Sequence, residues 1–66
     1  MTVDEVAARV EEIRALVRDD EGAHCQQDML YVDVLKAIAN GETDDPPALA
    51  KAALVVDTLD FSRWYA

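Results

Sequence analysis

The stretch Met29-Leu30-Tyr31-Val32-Asp33-Val34-Leu35-Lys36-Ala37-Ile38-Ala39-Asn40-Gly41 decides the fold. Its first half, Met29 to Leu35, holds Tyr and Val, so a strand is conceivable there. Lys36-Ala37-Ile38-Ala39 then continues a helical period, and no second segment offers a strand partner. The stretch is therefore a helix, and the protein is expected to be all-α. Asn40-Gly41 closes the helix, because glycine tolerates the left-handed conformation that ends one. The start falls near Asp20 to Ala23. Cys25, Met29, Leu30, Tyr31, Val32, Val34, Leu35, Ala37, Ile38 and Ala39 make this second helix apolar over most of its circumference. A helix of that kind is expected to lie buried between two others.

Upstream, Thr2 followed by Glu5 reads as a capping box opening a first helix. Val3, Val6, Val10, Ile13 and Val17 recur at alternating spacings of three and four, with Ala7 and Leu16 widening the stripe. That helix should end near Arg18 to Asp20. Downstream, Gly41 to Pro47 is a loop. Pro46-Pro47 suits a first helical turn, with Asp44 or Asp45 as the cap. A third helix is expected from about Pro46 to about Arg63, on Leu49, Ala52, Ala53, Val56, Leu59 and Phe61 to Trp64. Short loops make neighbouring helices antiparallel. Residues 1 to 66 thus form a single three-helix bundle.

The 66 residues include 14 carboxylates and 6 basic residues, a net charge of −8. That balance opposes direct nucleic-acid binding and adsorption to anionic lipid, and it favours basic protein partners. Cys25 is the only cysteine, which excludes an internal disulfide and a zinc site built on thiolates. The opening Met1-Thr2-Val3-Asp4-Glu5 lacks the basic and apolar regions of a targeting segment, so a cytoplasmic location is expected. No apolar run is long enough to span a membrane.

His24-Cys25-Gln26-Gln27-Asp28, with Tyr31, is the densest polar feature. His24 and Asp28 are four apart on one helical face. A metal needs three or four ligands, and a Cys–His nucleophile pair needs side chains that face each other. His24 and Cys25 are adjacent and point about 100° apart on a helix. The group therefore reads as a structural polar cluster, with no catalytic residue, cofactor or metal expected. Arg63 or the Trp64 indole is a candidate partner for Asp28. The run Asp60-Phe61-Ser62-Arg63-Trp64-Tyr65-Ala66 is expected to dock back onto the bundle, the alternative being an exposed anchor; the two are compatible if Trp64 buries and Tyr65 stays exposed. The acidic loops, Asp19-Asp20-Glu21 and Glu42 to Asp45, lack the EF-hand pattern and read as helix caps.

The Ala23-His24 pair, Asp28, Leu30-Tyr31, Val34-Leu35-Lys36-Ala37-Ile38-Ala39-Asn40-Gly41 and the Arg63-Trp64-Tyr65-Ala66 end resemble a family of small uncharacterised helical proteins of actinobacteria and their phages. The resemblance covers most of the chain after the first helix. It implies a bacterial cytoplasm and carries no activity. The expected function is a small acidic protein-interaction module that binds or inhibits a host protein. The alternatives are a self-associating structural protein and a nucleic-acid mimic that occupies a DNA- or RNA-binding protein.

Overall fold

The computed structural model describes residues 1 to 63. Three α-helices, α1 (Val3–Arg14), α2 (Asp20–Ala39) and α3 (Pro46–Leu54), are followed by one 3-10 turn, Val55–Thr58. The described residues contain no strand, and every helix touches the other two. The stretch Met29 to Leu35 is helical, because a lone strand would leave its backbone N–H and C=O groups without a ladder.

Side chains close the helix N-termini. The Thr2 hydroxyl accepts from the Glu5 N–H at 3.1 Å and donates to the Glu5 carboxylate at 3.3 Å. Asp19 accepts from the Gly22 N–H, and Asp45 accepts from the Ala48 N–H, each at 3.1 Å. The end of α2 is a Schellman motif. Gly41 has φ +68°, its N–H donates to the Ile38 carbonyl, and the Glu42 N–H donates to the Ala37 carbonyl.

Two helix ends differ from the sequence expectation. α1 stops at Arg14, short of Arg18. Beyond it the backbone tightens: the Leu16 N–H bonds to the Ile13 carbonyl and the Asp19 N–H to the Leu16 carbonyl. The turn keeps Leu16 and Val17 packed on the core while delivering Asp19 as the cap of α2. α3 stops at Leu54, well short of Arg63. After the 3-10 turn, Leu59 is extended at φ −77°, ψ 141°. Burial then alternates: Leu59 and Phe61 point inward and Asp60 outward. The apolar spacing that suggested one long helix is thus met by a period of two in an extended segment.

The core joins Val6, Val10 and Ile13 of α1 with Ala23, Leu30, Val34 and Ala37 of α2. Leu49, Ala53, Val56, Leu59 and Phe61 complete it. α2 is not buried all round. Only the face at Ala23, Gln27, Leu30, Val34 and Ala37 is enclosed. Two neighbours of 12 and 9 residues cannot surround a helix of 20.

Gly22 lies within the Asp19 cap. A Cβ there would stand 2.6 Å from Asp19 Oδ2. In an open helix Gly→Ala gains about 1 kcal/mol. Here the methyl displaces a capping carboxylate that contributes about 1 kcal/mol. Gly22→Ala is therefore expected to leave the melting temperature unchanged or lower. A rise of several degrees in a thermal melt would show that the carboxylate moves aside at no cost.

Candidate functional site

The polar residues singled out in the sequence fall into separate places. His24 and Asp28 do pair, with Nε2 3.5 Å from Oδ2 across one helical turn. They line an open groove of about 450 Å³ with Asp20, Glu21, Cys25 and Ser62. The His24 side chain is mostly enclosed, whereas Cys25 is exposed, so the two adjacent side chains diverge as the helical pitch requires. Among the described residues, no three His, Cys, Asp or Glu side chains converge in a way that could hold a metal ion. What the groove offers is negative charge from Asp20, Glu21 and Asp28 around one imidazole.

Tyr31 does not join this group. It lines a separate apolar groove of about 240 Å³ between α2 and α3, with Val34, Leu35, Ile38, Ala50, Ala53 and Leu54.

Arg63 does not pair with Asp28. Its Nε donates to Gln27 Oε1 at 2.9 Å. Nη1 donates to the Phe61 carbonyl at 3.1 Å, and Nη2 to the carbonyls of Val56 at 2.8 Å and Leu59 at 3.0 Å. Its guanidinium also stacks 3.9 Å above the Phe61 ring. The fork thus caps the 3-10 turn and fastens the last described segment to α2. The Ser62 N–H donates to Asp20 Oδ1 at 3.0 Å and adds a second fastening. Through Phe61, Ser62 and Arg63 this segment docks on the bundle as expected. Trp64, the remaining residue of the expected cluster, and Tyr65 lie outside the described residues.

No family model, curated protein or solved structure matches this chain. Among the described residues, no helix is long and apolar enough to cross a membrane.

The sequence reading set Gln27 in the polar cluster with His24 and Asp28, and it missed two placements. Gln27 is the one buried polar residue described, 5% exposed. Its position was legible: it falls four after Ala23 and three before Leu30, on the core face. Its hydrogen-bond partner was not, because Arg63 lies 36 residues away. The second feature is the outward side of α2. Met29, Val32 and Leu35 are 50%, 48% and 65% exposed, and Leu54 of α3 is 57% exposed. Met29, Val32 and Leu35 thus give α2 an outward apolar side in addition to its core face.

Proposed function

We propose that this protein is a small acidic protein-interaction module, an accessory protein that binds or inhibits another protein. The observation that carries the reading is the outward apolar stripe of α2, Met29, Val32 and Leu35. A helix needs one apolar face to join a bundle, and α2 has two. Three large apolar side chains about half or more in water lose stabilisation that contact with another protein would recover.

The net charge of −8 supports a partner that is basic or carries basic residues around an apolar centre. It also supports protein over nucleic acid as the ligand. The groove beside Tyr31 extends the apolar area from Leu35 to Leu54. The resemblance to small helical proteins of actinobacteria and their phages supports an accessory role in a bacterial cytoplasm.

Affinity purification with mass spectrometry in a bacterial host, comparing the wild type with Leu35→Asp, tests the reading. A partner captured by the wild type should be lost from the variant, because a carboxylate replaces an apolar contact. Leu35 lies outside the core, so the fold is retained. Equal capture by both proteins, or none above background, would overturn the assignment.

A further inference from the structure

We infer that the outward stripe of α2 pairs with the same stripe of a second copy, antiparallel and two-fold symmetric about Val32. A second copy is thus a weaker occupant of the docking surface just proposed, one that a basic partner would displace, and the inference rests on that reading.

The stripe is self-complementary about Val32 in shape and charge. Cys25, Asp28, Met29, Val32, Leu35, Lys36 and Ala39 all lie on the exposed side of α2. Three and four residues either side of Val32 stand Met29 with Leu35, and Asp28 with Lys36. An antiparallel crossing at Val32 therefore sets Met29 against the partner's Leu35, and Asp28 against the partner's Lys36. By symmetry each contact occurs twice, as an isologous interface requires. Cys25 meets the partner's Ala39, and two small side chains there let the helices stay close.

The surface carries both a knob and a hole. Leu35 is the most exposed of the large apolar side chains described, at 65%. Asp28, Met29, Val32 and Asp33 line an open groove of about 260 Å³. In this register the partner's Leu35 projects into that groove, and Leu35 into the partner's. Knobs entering holes is how paired helices gain contact.

Charge selects the register. Asp28 keeps 53% of its side chain exposed, and Asp33 is held by Arg9 at 2.8 Å. Lys36 is exposed and is the basic residue of the last turn of α2. Other antiparallel registers along the stripe place Asp28 on Asp28, Lys36 on Lys36, or a charge on an apolar residue. The contact from Cys25 to Ala39 is about 21 Å long, at 1.5 Å per residue. Such a short contact between chains of charge −8 makes a weak, concentration-dependent dimer.

Sedimentation across a wide concentration series tests this on the full chain. The wild type should rise from 7.3 kDa towards twice that mass. Val32→Asp puts two carboxylates on the axis and should weaken the dimer at least about tenfold, with unchanged helical circular dichroism. Asp28→Lys and Lys36→Asp should each weaken it, and an equimolar mixture of the two should form a heterodimer, visible by native mass spectrometry. With Ala39→Cys, mild oxidation should link Cys25 to the new cysteine of the other copy.

A wild type that remains 7.3 kDa at every concentration overturns the inference. So does a dimer indifferent to Val32→Asp, or a charge-swapped mixture that associates no better than its parts. A monomeric wild type whose captured partner is lost on Leu35→Asp removes the second copy alone and leaves the docking surface standing.

Discussion

Leu30→Ala is expected to remove about half or more of the stability of the fold. Leu30 is fully buried at the centre of α2. Large-to-small changes at such leucines cost about 3–5 kcal/mol, the transfer loss plus the cavity left behind. A 66-residue domain has about 3–10 kcal/mol of total stability, at about 0.05–0.15 kcal/mol per residue. One substitution therefore removes a large share of it, and the urea midpoint should fall accordingly. Most of the other core residues are Val or Ala, whose short side chains are poorly able to fill a gap. Far-UV circular dichroism with urea unfolding checks this. Leu35→Ala, five residues on and 65% exposed, is the control, expected to change stability by less than about 0.5 kcal/mol. If both variants unfold at the wild-type midpoint, the facing of α2 is wrong.

Arg63→Ala should cost about 2–3 kcal/mol, more than a charge near the surface normally contributes. The guanidinium serves four acceptors at once: Gln27 Oε1 and the carbonyls of Val56, Phe61 and Leu59. Truncation leaves the Gln27 oxygen buried with its donor gone. It also loosens the segment that carries Leu59 and Phe61 into the core. Arg63→Lys should recover less than half of the loss, because a compact ammonium cannot reproduce a planar fork. The four acceptors are neutral, so the effect should change little with added salt. The Arg9–Asp33 pair, at 2.8 Å and partly exposed, should by contrast weaken as salt rises. A double-mutant cycle of Arg63→Ala with Gln27→Ala should give a coupling of about 1 kcal/mol or more. Additive effects would show that the two side chains act independently.

The helix boundaries show where local sequence speaks and where it stops. Thr2, Asp19, Asp45 and the Asn40-Gly41 pair act within three residues of themselves, through side-chain caps and one positive φ. Their roles could be read directly. The ends of α1 and α3 could not. Val17 and Leu59 keep the apolar spacing of a helix, yet both lie beyond one. A residue can reach the core from a tight turn or an extended strand, and spacing alone does not separate these. The His24–Asp28 pair was legible because it is local to one turn. The Gln27–Arg63 bond was not, because only chain reversal brings its ends together.

α2 marks the division most clearly. Its composition settled that it is a helix, that it ends at Gly41, and that it is apolar nearly all round. Those are properties of backbone preference and of 3.6 residues per turn, and they need no partner to be true. Which apolar side is buried, and which is left in water, depended on the lengths and placement of α1 and α3. Burial belongs to pairs of surfaces, so it is decided only when the helices pack. The tertiary structure put Leu30 and Val34 inside and left Met29, Val32 and Leu35 outside. In doing so it turned an apolar helix into a core element with a second face to offer.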